Sequence, residues 1–245
     1  MMPQELRSIW GWPRCYSNGS IDMLVRDSAF VLKKILFKET SLILNVLSRN
    51  GGLQSFIAKG ALRPKSSYLG IFELFNEIEI HYYKKENTAL YTVSKAELIR
   101  DNFSLTESPD SLMDIGKLVQ YTIRNIPFNE PVPALYQSFS YLLLGVKEKK
   151  ENKALIYYFL TLLQEMGLPL KLSGLCACGN SERSYFNPED GSFSCSRCHR
   201  GRFVGEKMAV DLTALAEHKG KVINITATEK RDYLEILKEY MRYHK

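Results

Sequence analysis

Ser41-Leu42-Ile43-Leu44-Asn45-Val46-Leu47-Ser48-Arg49-Asn50-Gly51-Gly52-Leu53-Gln54-Ser55-Phe56-Ile57-Ala58-Lys59 reads as two β-rich runs folded back on each other. Asn50-Gly51-Gly52 is the hairpin signal, because asparagine and glycine accept the positive φ angles of tight turns between twisted strands. Upstream, Val31 to Phe37 is another β-rich run, in a pattern that opens at Met23. Downstream, Ile78, Ile80 and Tyr82 fall on one face of a strand, with Glu77, Glu79, His81 and Tyr83 on the other. Lys84 to Asn87 makes a polar turn, and Ala89 to Ile99 supplies the fifth strand. Short strands joined mostly by hairpins predict a small closed barrel. The five-stranded OB architecture is the natural candidate, and the pattern alone leaves an SH3-like barrel open.

Past Phe103 the period changes from two to that of a helix. Ser108-Pro109 sets a capping hydroxyl before a proline at the first helical position, and Leu112, Ile115, Leu118, Val119 and Ile123 follow. A second helix is expected over Pro133 to Val146. A third runs from Asn152 to Met166, with Leu155, Tyr158, Phe159, Leu162 and Leu163 inward, ended by Gly167 and Pro169. Val210 to Glu217 and Thr228 to His244 complete the set, the last with Leu234, Leu237 and Met241 as its stripe. Such stripes are read as mutual core packing.

Between these helices stand Cys176 and Cys178, then Cys195 and Cys198. Two close pairs of thiols on turns, with a returning segment between them, suit a tetrahedral zinc ion. Gly179, Gly201 and the turn Asn187-Pro188-Glu189-Asp190-Gly191 fit that scheme. The single residue Ala177 inside the first pair is one fewer than zinc sites usually have. A redox pair or a disulfide is the alternative. With no secretory signal or long apolar run, a reducing compartment disfavours the disulfide. Four thiolates close the coordination sphere, so the zinc is expected to be structural. His199 is a conceivable substitute ligand, although neighbouring residues rarely reach one ion together.

The chain has 245 residues and a formal charge of +6. Residues 23–103 hold 12 Lys and Arg against 8 Asp and Glu, whereas 104–175 hold 7 of each. The basic excess therefore concentrates where the barrel is expected, which permits nucleic-acid binding without establishing it. Lys59-Gly60-Ala61-Leu62-Arg63-Pro64-Lys65-Ser66-Ser67 places three cations on a turn at a strand exit. Lys59, Arg63 and Lys65 are candidate phosphate contacts, with Lys33, Lys34 and Arg49 as extensions. Tyr68, Phe72 and Phe75 could stack on bases but are read first as barrel core. No phosphate-cradling glycine loop occurs, and His81, His199, His218 and His244 lack a neighbouring motif that would pair them with a nucleophile. The chain is therefore not expected to be an enzyme; a zinc-dependent nuclease would need an open metal position and an acidic cluster.

Residues 1–22, with Trp10-Gly11-Trp12-Pro13-Arg14-Cys15, lack periodicity. They are expected to be a leader outside the fold, with Met23 as the true start and Cys15 unrelated to the metal.

In order along the chain, these features resemble the RecO family of bacterial recombination mediators. The resemblance rests on Ala29 to Lys33, Ser48 to Leu53, Ala58-Lys59-Gly60-Ala61-Leu62-Arg63-Pro64-Lys65-Ser66, Leu90 to Val93, Ala96 to Leu98 and the cysteine quartet. It implies an α+β multidomain protein: an OB-fold DNA-binding domain over 23–103, a helical domain over 104–175, a zinc module over 176–205 and C-terminal helices over 206–245 packed on the helical domain. It further implies ATP-independent annealing of complementary DNA, with single- and double-stranded DNA, RecR and single-stranded DNA-binding protein (SSB) as partners. RecA would be engaged indirectly, and the setting would be the bacterial cytoplasm and nucleoid rather than a membrane. A protein adaptor with only weak DNA contact is the alternative. The Cys176–Cys178 spacing and the leader depart from the family pattern.

Overall fold

The structure, a computed structural model, describes residues 23–84, 88–102, 105, 109–172, 174–217 and 223–244. The leader with Cys15, Lys85 to Asn87 of the polar turn, the Ser108 cap and His218 lie outside the described residues. The chain divides into two compact units, Met1–Ser104 with Pro127–Val132, and Leu105–Ile126 with Pro133–Lys245.

The first unit is a closed barrel of β1 (Met23–Phe37), β2 (Ser41–Ser48), β3 (Gly52–Ala58), β4 (Glu77–Lys84) and β5 (Tyr91–Arg100), in the order β1-β2-β3-β5-β4. All neighbours are antiparallel except β3 and β5, which run parallel at Phe56–Tyr91 and Ile57–Thr92. That crossed closure selects the OB architecture from the two barrels the sequence left open. β1 is much longer than its apolar run because it pairs twice. Met23 to Phe30 lies against β4, and Ala29 to Phe37 lies against β2. The register skips Leu32, a bulge where the strand turns from one partner to the other.

Inside, Phe56 is fully buried against Tyr82 and Tyr91, with ring centroids 4.8 and 5.7 Å away. Phe72 and Phe75 are also buried, so their rings belong to the core. His81 is half-buried on the outer face of β4, its Nε2 2.9 Å from Glu79 Oε1.

The hairpin of β2 and β3 is held by Asp27, which is 5% exposed. Its carboxylate accepts from Asn50 N at 3.0 Å, Gly51 N at 3.2 Å, Asn50 Nδ2 at 2.9 Å and Ser28 N at 2.9 Å. Gly52 follows at φ 67°, and a Cβ there would lie 1.7 Å from the Glu130 carbonyl oxygen. Only glycine admits this approach of Pro127–Val132 to the barrel.

In the second unit α1 (Pro109–Asn125), α2 (Pro133–Lys147), α4 (Glu206–Ala216) and α5 (Ala227–Tyr243) surround α3 (Glu151–Glu165), whose Leu155, Tyr158, Phe159, Leu162 and Leu163 are all buried. Tyr158 and Thr122 share a hydrogen bond of 2.7 Å in that core. α4 starts four residues before the expected Val210, directly after Gly205 at φ 78°. Thr226 and Glu229 close a capping box at the start of α5. Between α3 and α4 lies a small sheet of β6 (Tyr185–Asn187), β7 (Ser192–Ser194) and β8 (Arg202–Phe203), ordered β7-β6-β8. The two-residue β8 has no signal in the sequence.

Asp27→Ala strips four donors of a charged acceptor and should cost the first unit about 3 kcal/mol, read as a lower urea midpoint. Asp27→Asn should cost less, since one oxygen remains to accept.

Candidate nucleic-acid surface and metal centre

The five-strand closure sorts the candidate cations by place. Lys59 leaves β3 at the end of the barrel where β1 turns into β2, and successive turns continue the loop through Arg63 N to Gly60 O (3.2 Å) and Ser66 N to Arg63 O (2.9 Å). Leu62 N donates to Thr40 O at 3.0 Å, so this loop is tied to the β1–β2 turn. That turn brings Lys38, at φ 55° with its Nζ 5.4 Å over the Phe37 ring, beside Lys59, Arg63 and Lys65. Lys38 escaped the sequence reading because it lies 21 residues upstream of Lys59 and in no motif.

Alternation along β1 separates Lys33 from Lys34. Lys33 pairs with Asn45, which faces Ser55, along an outward row; the next outward row is Ile35, Ile43 and Ile57. Lys34 turns to the barrel mouth and forms an ion pair with Glu73. Arg49 sits on the β2–β3 turn, at the other end of that hairpin from Lys59, about 20 Å away at the rise of a seven-residue strand. Lys33, Lys38, Lys59, Arg63 and Lys65 are exposed, and none has an ion-pair partner among the described residues. Lys38, Lys59, Arg63 and Lys65 thus gather at this end of the barrel, and Lys33 stands on the partly apolar sheet face beside it. Tyr68 is half-buried against the core, with its hydroxyl donating to Ser94 O at 3.4 Å.

In the second unit the four cysteines meet: their Sγ atoms all lie within 4.8 Å of one another. A zinc ion with bonds of about 2.3 Å requires sulfurs about 3.8 Å apart, so the group fits a tetrahedral ion. The short first pair closes through Gly179 N to Cys176 O at 2.8 Å and Cys176 N to Asn180 O at 2.9 Å. The second closes through Cys198 N and His199 N onto Cys195 O, at 3.2 and 2.9 Å. Gly201, at φ 93°, passes so near β6 that a Cβ would lie 1.9 Å from Phe186 O. His199 is not part of that group, and its ring lies 4.4 Å from that of Tyr185.

Backbone N–H groups of Cys178 and Cys195 lower the Cys176 thiol to about 6, and that of Asn180 lowers Cys178. Cys198 is pushed up to about 12 because its S–H serves Cys176 and Cys178 as a donor. Cys176 and Cys178 are thus drawn toward the thiolate form that holds a cation, while Cys198 keeps its proton until an ion displaces it.

Between α1 and α5 lies a cleft of about 360 Å³ with Met113 and Leu234 in its lining. Lys117 and Lys238 face it, and burial followed by the charge of Lys117 lowers the Lys238 ammonium from its usual range. The carboxylates there are Asp110 and Asp114, and Asp114 is taken by Lys230 at 2.7 Å.

An OB barrel coupled to a helical unit that carries a four-thiol centre defines the class. The family model for "Recombination protein O N terminal" matches residues 23–102, and that for "Recombination protein O C terminal" matches 119–245. Among similar proteins, each named DNA repair protein RecO, that of Caldanaerobacter subterraneus subsp. tengcongensis is 26% identical over 90% of this chain and 92% of its own length. That of Alkaliphilus metalliredigens is 26% identical over 91% and 94%. That of Prosthecochloris aestuarii is 28% identical over 61% of this chain, an alignment spanning 58% of the relative. The chain belongs to the RecO family of DNA repair proteins. No helix among the described residues is long and apolar enough to cross a membrane.

Loading the apo chain with Zn²⁺ near pH 8 should bind one ion, release protons and raise the unfolding temperature. Isothermal titration in buffers of different ionisation heat reads the protons. Cys198→Ser should lose both effects; uptake without proton release would contradict the thiol arrangement. Proton competition sets the sign with pH: the Cys176 thiolate, available above about 6, is lost as pH falls through that value, and the ion should leave with it.

Proposed function

We propose that this protein binds DNA at the cation-rich end of its barrel and anneals complementary single strands without ATP. On this reading it acts with RecR on SSB-coated DNA, at the nucleoid, to help load RecA. The observation that carries the proposal is the meeting of Lys59, Arg63 and Lys65 with Lys38 at one barrel end, with Lys33 on the adjoining sheet face, all exposed and without ion-pair partners among the described residues. Cations without carboxylate partners are available for phosphates, and each contact releases condensed counterions.

Annealing needs no bond chemistry. The obstacle is repulsion between two polyanions, which bound cations reduce; base pairing then supplies the driving energy. Lys34 takes part only where phosphate outcompetes Glu73, and Arg49 is reached only by a strand long enough to run the β2–β3 hairpin. Zinc held by Cys176, Cys178, Cys195 and Cys198 has a structural role: it replaces the core that the three short strands of its module are too small to build.

SSB ends in an acidic tail, and the α1–α5 cleft suits such a segment. Lys117 and Lys238 repel one another there, and an anion between them relieves that repulsion. An apolar tail residue would rest on Met113 and Leu234.

In fluorescence titrations, Arg63→Glu with Lys65→Glu should weaken single-strand binding and flatten log K against log salt by about 1.4, roughly 0.7 per lost contact. Arg49→Glu should leave a short oligonucleotide unaffected. An unchanged slope in the double variant would remove the site assignment. Annealing of labelled strands by the wild type, bare and SSB-coated, tests the function itself, and no acceleration on bare strands would favour the adaptor. Lys117→Glu with Lys238→Glu should abolish acceleration on SSB-coated DNA while sparing bare DNA.

A further inference from the structure

At the barrel mouth, between the end of β1 and the β3–β4 loop, lies a cleft of about 270 Å³ whose composition a phosphate site does not explain. Leu36, Leu62 and Leu69 form its walls and are 74%, 43% and 78% exposed. Leucines so exposed, side by side on a basic loop, are an apolar surface awaiting a cover. Along one edge stands the Lys34–Glu73 ion pair, and Tyr68, tilted on Phe72 at 5.0 Å, lines the same space. Arg63 and Lys65 lie one and three residues after Leu62 in the same loop.

We infer that this cleft holds an unpaired nucleobase, an assignment that rests on the DNA reading above. A base is a flat apolar ring whose edge carries hydrogen-bond donors and acceptors. Leucine walls match its faces, and an ammonium beside a carboxylate matches its edge: Lys34 donates to ring nitrogens or carbonyls, and Glu73 accepts from amino groups. The phosphates flanking such a base fall to Arg63 and Lys65. In a duplex the same faces are stacked and the same edges paired, so the cleft reads single strands only. The outward sheet face and its cations make no such distinction. An apolar segment of a partner protein is the other occupant the leucines would accept, but it brings no phosphates for the cations that follow Leu62 in the loop.

The test uses the full chain and two labelled 12-mers of equal charge, one of mixed sequence and one built of abasic units, with binding read by anisotropy. The wild type should prefer the base-bearing strand on the order of tenfold, the scale of base contacts in single-strand sites. Leu36→Ser with Leu69→Ser should bring that ratio close to one and leave the abasic affinity unchanged, since both side chains are already in water and no cation is touched. Glu73→Gln, which keeps the shape, should lower the ratio without abolishing it. A ratio unaltered by the leucine variant would overturn the inference, as expected if the cleft seats a protein segment. Equal losses on both strands would overturn it too, because the leucines would then act through the fold. Failure of the wild type to bind either strand would instead overturn the DNA reading itself.

Discussion

The barrel depends on β1 serving two partners. Closing five strands requires one to lie against β4 on one side and β2 on the other, and only a strand of fifteen residues with a bulge at its turning point reaches both. The bulge at Leu32 has a chemical consequence. It sets the phase of the strand beyond it, so that Lys33 joins the outer sheet face and Lys34 the mouth. The other junctions are held by groups that tolerate little change: the Asp27 carboxylate under the Asn50-Gly51 turn, and Gly52 against the Glu130 carbonyl. With the hairpin so fixed, Arg49 and Lys59 are held at its opposite ends.

Two different devices organise the two units. The barrel has an apolar core centred on Phe56, Tyr82 and Tyr91, and burying rings of this size is the dominant favourable term there. The module between α3 and α4 has strands of three, three and two residues and two fully or nearly buried phenylalanines, Phe186 and Phe193. So little apolar surface is a weak basis for order, and converging thiols are the usual remedy. The two knuckles draw their turn geometry from backbone hydrogen bonds onto Cys176 O and Cys195 O, which is why a first pair with only Ala177 inside still points both sulfurs at the common centre.

Much of this was legible in the residues. The period-two alternation of Ile78, Ile80 and Tyr82 and the Asn-Gly-Gly turn reported strands because side chains in a sheet alternate sides whatever the fold. The stripe Leu155, Tyr158, Phe159, Leu162 and Leu163 reported α3 for the corresponding reason. The burial of Phe72 and Phe75 also agreed with the expected core role. β8 was not legible, since two exposed residues have no period and exist as a strand only because β6 lies beside them. Nor was Lys38, which joins the cation cluster through the Leu62–Thr40 hydrogen bond between segments distant in sequence.

The sequence by itself determined the kinds of element, the four thiols and the basic excess of the first unit, because each is a local property of composition or spacing. Tertiary structure decided the rest. It chose OB closure over its rival, by pairing β3 with β5 in parallel across a long connection. It divided the cations into a cluster, an ion-paired lysine at the mouth and an arginine at the far turn. It opened the leucine cleft by ending the barrel where the β3–β4 loop begins. Each of these depends on which distant segments lie side by side, and a linear pattern carries no term for that.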